Sequence, residues 1–204
     1  MSGTRIDAGS TRILQRPAGS RDMTFFHDYF DDIGARIRDV DSAELERLSE
    51  LFRAVRGRGR KVILVGNGGS AAMADHVAVD LTKTAGVRAI NFNNADLLTC
   101  FANDYGYPLW VEKALESYSD PGDAAVLISS SGRSPNILNG GAAARRRGLH
   151  VVTFSGFDAD NPLRSLGELN FWVNSHSYNT VEMAHHIWLL AAVDRLAREK
   201  GSRD

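Results

Sequence analysis

The sequence is poor in several features that define large classes of proteins. It contains a single cysteine, Cys100, and no run of about 18 consecutive apolar residues. One cysteine excludes a disulfide within the chain and any cysteine-rich zinc site, and it is typical of a reducing compartment. The lack of a long apolar run argues against a membrane-spanning helix, and the first twenty residues lack the apolar segment of a secretory signal. We therefore expect a soluble, cytoplasmic protein.

An excess of charge of either sign is also missing. The 24 basic and 25 acidic residues leave a formal net charge of -1. A chain of this kind has no overall field that would draw it to nucleic acid or to anionic lipid. We therefore expect neither nucleic acid nor membrane as a partner, and an anionic ligand would need a local site.

The order of apolar segments predicts one α/β domain. The 204 residues, 43% of them hydrophobic, are enough for a single domain with a full core. Short apolar runs alternate with helical patterns, which is typical of a parallel sheet covered by helices on both faces. We predict a flexible N-terminal tail over residues 1–21 and a single domain over 22–204. The strands are predicted at 62–65, 87–92, 124–128, 150–154 and 169–173, with helices at about 70–83, 135–147 and 180–200.

Two amphipathic helices are predicted before the first strand. Apolar residues recur at spacings of three and four over residues 23–40 and again from Leu45 to Val55. Asp41 stands three residues before Glu44, as expected at a helix start. Because these helices lie outside the strand–helix repeat, we expect one of them to pack against a partner subunit. Folding back on the sheet is the alternative.

The first of two polar turns reads GNGGS, from Gly66 to Ser70, and joins a predicted strand to a predicted helix. Its glycines allow the backbone to approach a ligand closely, and the amides and dipole at a helix N-terminus favour an anion. The turn matches neither the dinucleotide-binding fingerprint nor the P-loop, which disfavours a nucleotide. An ordinary glycine-rich turn is the alternative.

The second polar turn reads SSSGRSPN, from Ser129 to Asn136, and also runs from a strand into a helix. Its hydroxyls are hydrogen-bond donors, and Pro135 suits a first helical turn. Ligands bind parallel sheets at the carboxyl ends of the strands, where both turns are predicted to lie. The pair of turns therefore indicates an oxyanion site, although the same residues also occur in solvated loops.

In order and spacing, the two turns, His76 and the segment Asn103–Tyr107 resemble the phosphoheptose isomerase branch of the sugar isomerase (SIS) domain family. The likeness covers about residues 26–199. It implies a three-layer α/β sandwich with a five-stranded parallel sheet, preceded by N-terminal helices. It also implies a phosphorylated sugar as ligand and a homotetramer or homodimer with sites at its interfaces. Phosphate is implied for Ser70, Ser129, Ser131 and Ser134, and sugar contacts for Asn67 and Ser130, with Gly68 in the same turn.

The resemblance implies an aldose–ketose isomerase, which needs a base that moves a proton through an enediol. His76 and Asp80 are four residues apart and therefore share one face of a helix. The family has histidine and glutamate here, with the glutamate as base and both able to bind zinc. Asp80 keeps the carboxylate on a shorter side chain, and a placement error of about 1 Å can cost ~100-fold in rate. A purely structural helix contact is the alternative for His76.

The last predicted helix departs further from the family. Relatives carry Gln-Glu-x-His and a second histidine five residues later. If Glu182 is aligned with the glutamine and His185 with the first histidine, Leu190 stands where the second is expected. An altered acid/base pair is one hypothesis, with Glu182 as replacement base and His185 or His186, three or four residues further on, as its partner on the same helix face. An exposed, non-functional glutamate and histidine is the alternative. A rebuilt zinc site is a third, with the ligands His76, Asp80, Glu182 and His186.

Further polar side chains are predicted near the same sheet edge. Asn94 falls where the family often has an aspartate that faces the sugar, and Asp96 lies two residues beyond it. Arg133 replaces the usual family asparagine, and it either contacts the phosphate or points to solvent. His176 and Tyr178 follow the last strand and lie at its carboxyl end.

The leading hypothesis is an isomerase that acts on a long-chain ketose phosphate such as sedoheptulose 7-phosphate. Asp80 and Glu182 are the candidate bases, and zinc is a candidate cofactor. The alternative is a phosphosugar-binding or protein-interaction protein without turnover, like a replication-initiator-associating relative. The missing second histidine favours that alternative.

Overall fold

A computed structural model describes residues 24–201, so the tail predicted at 1–21 lies outside the described residues. The strands are β1 (Val62–Val65), β2 (Ala89–Asn91), β3 (Ala124–Ser129), β4 (His150–Ser155) and β5 (Leu169–Trp172). The helices are α1 (Phe25–Arg38), α2 (Ser42–Gly57), α3 (Gly69–Lys83), α4 (Ala95–Tyr105), α5 (Trp110–Tyr118), α6 (Pro135–Arg146) and α7 (Tyr178–Gly201). No helix among the described residues is long and apolar enough to cross a membrane.

All five strands pair in parallel, in the order β2-β1-β3-β4-β5, which confirms the expected fold class. The chain runs from β1 outward to β2, returns to β3, and then runs outward in the other direction to β4 and β5. The direction of winding therefore reverses between β1 and β3. In open parallel sheets a ligand crevice forms at such a switch point, outside the carboxyl ends of the strands.

Two apolar clusters cover the two faces of the sheet. In β1, Val62 and Leu64 belong to one cluster with α2, α3 and α7, whereas Ile63 and Val65 belong to the other with α5 and α6. This alternation follows from the period of two along a strand. The sheet is thus the middle layer of three, and its strand ends are left free to form a site.

The two N-terminal helices behave differently. The Asp41 carboxylate caps α2 by accepting a hydrogen bond from the Ala43 amide at 2.8 Å, and Leu48 and Phe52 of this helix are fully buried. Helix α2 therefore folds back on the sheet. Helix α1 contacts α7, where the Trp188 Nε1–H donates to the Ile37 carbonyl at 2.9 Å, but α1 has no fully buried residue.

His185 is part of the core. Its ring is completely buried, it packs edge-on against Phe154, and its Nε2 lies 3.0 Å from the Ser155 carbonyl oxygen. Burial lowers the pKa of His185 to about 4. The ring is therefore neutral near pH 7, with Nε2–H as the donor, and Nδ1 has no hydrogen-bond partner among the described residues.

We predict that His185 makes the fold sensitive to acid. In the unfolded chain its pKa returns to about 6.5, so between pH 6.5 and 4 the unfolded state binds the extra proton and the native state does not. The free energy of unfolding should therefore fall as the pH decreases through this window, by up to roughly 3 kcal/mol from this group. Urea unfolding at a series of pH values measures the slope.

The matched control is His185→Gln, whose amide can still donate to the Ser155 carbonyl but does not titrate. Its stability should fall less between pH 6.5 and 4 than that of the unsubstituted chain. Equal slopes for the two proteins would contradict the assignment.

Candidate phosphosugar site

A cleft of about 200 Å³ lies at the carboxyl ends of β1 and β3, where the winding of the sheet reverses. Its walls come from the turn after β1, the turn after β3 and the first turns of α7. The lining residues are Asn67, Ser70, Ile128, Ser129, Ser130, Ser131, Ser134, Tyr178 and Glu182. The structure therefore brings both sequence-predicted turns to one site.

The turn after β3 presents hydroxyl groups to the N-terminus of α6. Ser134 occupies the cap position of α6, but its side chain makes no capping hydrogen bond; its hydroxyl lies instead 3.0 Å from that of Ser129. The Ser130 hydroxyl is buried and has no partner among the described residues. An uncapped helix N-terminus surrounded by hydroxyls favours a bound anion. A phosphate group matches this arrangement in both charge and donor requirement.

The turn after β1 has a different arrangement, because a carboxylate of the protein covers the N-terminus of α3. Helix α3 also lacks a side-chain cap, and the Ser70 hydroxyl donates to Oε1 of Glu182 over a long 3.4 Å. A Cβ added to Gly69 would clash with the same carboxylate, so any larger residue here would displace the Glu182 side chain. The α3 N-terminus therefore holds Glu182, and the α6 N-terminus remains for a ligand.

Glu182 is half-buried, and burial raises the pKa of its carboxyl group. Hydrogen bonds from the hydroxyl and backbone of Ser70 act in the opposite direction and only partly offset the effect. A carboxylate with a raised pKa in a polar cleft is suited to take up and release a proton.

Two asparagines link the turns to each other. The Asn67 amide nitrogen donates to Oδ1 of Asn136 at 3.1 Å, and the Asn136 amide nitrogen donates back to Oδ1 of Asn67 at 2.9 Å. The hydroxyl of Tyr107 donates to the same Asn67 oxygen at 3.0 Å. This pair couples the positions of α3 and α6. The sequence does not show that Asn136 pairs with Asn67, because the two residues are 69 positions apart.

His76, Asp80 and His186 form a second group, which does not line the cleft. His76 Nε2 lies 3.2 Å from Asp80 Oδ2, and His76 Nδ1 lies 3.0 Å from His186 Nε2. Burial, followed by the neighbouring His76, lowers the pKa of His186. In the neutral pair the Asp80 carboxylate accepts from His76 Nε2–H, so His76 Nδ1 must accept from His186 Nε2–H.

This group does not fit the predicted zinc site in its present arrangement. The two nitrogens of His76 point to two different neighbours, so the donor atoms do not face a common centre, and Glu182 is bonded to Ser70 instead. Within residues 24–201, no three His, Cys, Asp or Glu side chains are grouped so as to hold a metal ion.

Five other predicted site residues are absent from the cleft lining, among them Gly68 of the turn after β1. The Asn94 side chain caps α4 by accepting from the Asp96 amide at 3.2 Å, and both residues are exposed. Arg133 forms an exposed ion pair with Asp158 at 3.3 Å, which is the solvent-facing alternative for this residue. His185 lies in the core, as described above. In the single chain, the cleft therefore contains the serines, Asn67 and Glu182, and excludes the histidines.

Comparisons with known proteins identify the family of the chain. The model of the SIS domain matches residues 26–156. A probable phosphoheptose isomerase of Thermoplasma acidophilum is 31% identical over 160 residues, which is 74% of this chain and 87% of that protein. A solved phosphoheptose isomerase of Francisella tularensis superimposes with a TM-score of 0.80 at 19% identity, over 88% of this chain and 100% of the other.

A third relative is known with a ligand. The Vibrio vulnificus NanR protein complexed with ManNAc-6P superimposes with a TM-score of 0.67 at 18% identity, over 87% of this chain and 62% of that one. At this identity the likeness concerns the fold. The family model, the sequence relatives and the folds together show that the chain belongs to the SIS domain family, in the branch that contains the phosphoheptose isomerases.

Proposed function

We propose that the protein is an aldose–ketose isomerase for a long-chain ketose phosphate such as sedoheptulose 7-phosphate, with Glu182 as the base. The observation that carries the proposal is the position of the Glu182 carboxylate in the same cleft as the turn after β3, residues 129–136, which we call the serine turn. The phosphate binds at the N-terminus of α6 among the hydroxyls of Ser129, Ser131 and Ser134. The names of the sequence relatives support a phosphosugar isomerase. The serine hydroxyls support the phosphate as the group through which the sugar is bound.

The chemistry follows from the raised pKa of Glu182. The carboxylate removes a proton from C1 of the ketose, the electrons of that C–H bond form the C1–C2 double bond, and the π electrons of the C2 carbonyl move onto O2 to give an enediolate. The same carboxyl group then returns the proton to C2, while the hydroxyl proton on O1 passes to O2. The carbonyl thereby moves from C2 to C1 without net oxidation. Burial helps the step, because it makes the protonated form of Glu182 easier to reach.

We assign the transfer between O1 and O2 to His186, which is not part of the cleft lining, so this role requires the sugar chain to extend past Glu182. His186 follows Glu182 by one turn of α7, so the two side chains share a face of the helix. Asp80, through His76, sets which nitrogen of His186 carries the proton. In this proposal Asp80 is a positioning group, and Glu182 takes the role of base that the sequence left open between the two.

Deuterium exchange tests the reaction. The protein is incubated with sedoheptulose 7-phosphate in deuterated water, with and without zinc, and exchange at C1 is followed by NMR. We expect exchange with the unsubstituted protein and none with Glu182→Gln, because the amide cannot accept the proton. Glu182→Asp keeps a carboxylate but displaces it by about 1 Å, so it should retain activity reduced by roughly 100-fold. Full exchange by Glu182→Gln would remove this residue as the base.

A binding protein without turnover is the second candidate. It is favoured by the position of His76, Asp80 and His186 outside the cleft and by Leu190 at the place of the second family histidine. The same experiment separates the two candidates. Thermal stabilisation by the ketose phosphate without any exchange would support the binding protein and exclude the isomerase.

The serine turn is tested by Ser131→Ala. Loss of one hydroxyl donor to a charged phosphate should weaken binding of phosphorylated sugars by roughly tenfold. The affinity for the unphosphorylated sugar should not change. Ser117→Ala on α5 is the control, because that hydroxyl donates only to the Lys113 carbonyl of its own helix. An equal loss for both kinds of sugar, measured by calorimetry, would contradict a phosphate contact.

We also propose that the chain forms a homodimer or homotetramer through α1. Phe25, Phe26 and Phe30 expose 53%, 68% and 65% of their surface on this helix, a large apolar area for a lone subunit. Light scattering should therefore give a mass of two or four chains. The double substitution of Phe26 and Phe30 by serine should shift it toward one chain. A monomeric unsubstituted protein would refute this assembly.

A further inference from the structure

Three ring side chains stand beside the mouth of the cleft and form one surface. Phe157 follows β4, whereas His176 and Tyr178 follow β5. The ring of Phe157 stacks on that of His176 with centroids 5.2 Å apart, and it meets the ring of Tyr178 edge-on at 4.9 Å. We call these three residues the aromatic wall. Tyr178 lines the cleft itself, as Ser130 and Glu182 do.

The backbone at Phe157 is strained. Its φ is 57°, and among the described residues it is the sole non-glycine with a positive φ. This region is costly for a bulky side chain and is normally given to glycine. Strain of this kind persists where the surroundings hold it, and it is concentrated at binding and catalytic sites.

Two backbone hydrogen bonds hold the strained segment in place. The Gly156 amide donates to the Ser130 carbonyl at 2.8 Å, and the Phe157 amide donates to the Ser175 carbonyl at 3.0 Å. The first bond ends on the serine turn, and the second ends on the loop that leads to Tyr178. Backbone hydrogen bonds therefore connect the aromatic wall to two walls of the cleft. They set its position relative to the serine turn.

Side chains add a further link. Asp158 lies 3.3 Å from Arg133 of the serine turn and 3.8 Å from Nε2 of His176. These exposed pairs are weak individually. Like the backbone bonds, they connect the loop after β4 both to the serine turn and to the loop after β5. The ring of Tyr178 is thus held from behind by Phe157, while 60% of its own surface remains open.

We propose that the aromatic wall is the specificity-determining surface for the carbon chain of the sugar phosphate, with the ring of Tyr178 packed against its C–H groups. This inference rests on the proposed phosphosugar ligand. The rest of the cleft is lined mainly by hydroxyl, amide and carboxylate groups, which recognise the oxygens of a sugar. The carbon skeleton needs an apolar surface, and an open aromatic ring beside the phosphate turn supplies one.

Binding measurements test the inference without turnover. Calorimetry gives the dissociation constants of sedoheptulose 7-phosphate and of inorganic phosphate for the unsubstituted protein and for Tyr178→Ala. The substitution should lower the affinity for the ketose phosphate by about tenfold, because the apolar contact is lost. The affinity for inorganic phosphate should not change, since that ion reaches only the serine turn.

Three variants complete the design. Tyr178→Phe keeps the ring and should bind both ligands like the unsubstituted protein, which separates the ring from its hydroxyl. Phe157→Gly relieves the strain of the positive φ but removes the ring that supports Tyr178. It should lower the affinity for the ketose phosphate and leave that for inorganic phosphate unchanged. Tyr118→Ala removes an exposed tyrosine that does not line the cleft, and it should change neither constant.

The outcomes distinguish this inference from the isomerase proposal. The role of the aromatic wall would be overturned if Tyr178→Ala bound the ketose phosphate with unchanged affinity. It would also be overturned if this variant lost affinity equally for the ketose phosphate and for inorganic phosphate. A selective loss in a protein that exchanges no deuterium would support the wall and overturn the isomerase. Failure of the unsubstituted protein to bind the ketose phosphate would overturn both.

Discussion

The parallel pairing of β1 with β3 is the constraint on which the site depends. Each of these neighbouring strands leads directly into a helix, so the N-termini of α3 and α6 lie side by side at the sheet edge. Both ends carry partial positive charge, and neither has a side-chain cap. Negative charge is therefore stabilised here twice, at two neighbouring points.

The protein places a carboxylate of its own at one of these helix N-termini and leaves the other free for a ligand. Glu182, brought in by α7, covers the N-terminus of α3, while the hydroxyls of Ser129 and Ser134 stand at that of α6. The reciprocal amide bonds of Asn67 and Asn136 keep the two ends in register. A ligand phosphate at the open point would thus lie at a defined distance from a carboxylate that can carry a proton, which is the geometric requirement of proton transfer.

Much of the fold could be predicted from the sequence. The continuous apolar strands, the Asp41 cap and the two glycine- and serine-rich turns are local patterns, and the structure has all of them. The edge strand β2 is shorter than predicted, because an apolar run does not show where pairing with β1 ends. The first N-terminal helix could not be assigned to the sheet or to a partner, since its apolar stripe is compatible with either.

The candidate site was less predictable, for a physical reason. The ligand chemistry of a hydroxyl-rich turn can be predicted from the sequence, because its hydrogen-bond donors are consecutive in the chain. The sequence could not distinguish the environments of His185 and His186, which are adjacent yet lie in the core and beside His76 respectively. Nor could it show that Glu182 meets Gly69, a contact between α7 and α3 across 113 positions of the chain. Which residue type is present is written in the sequence; which groups become buried, paired or free to react depends on how distant segments pack, since packing sets desolvation and hydrogen bonding.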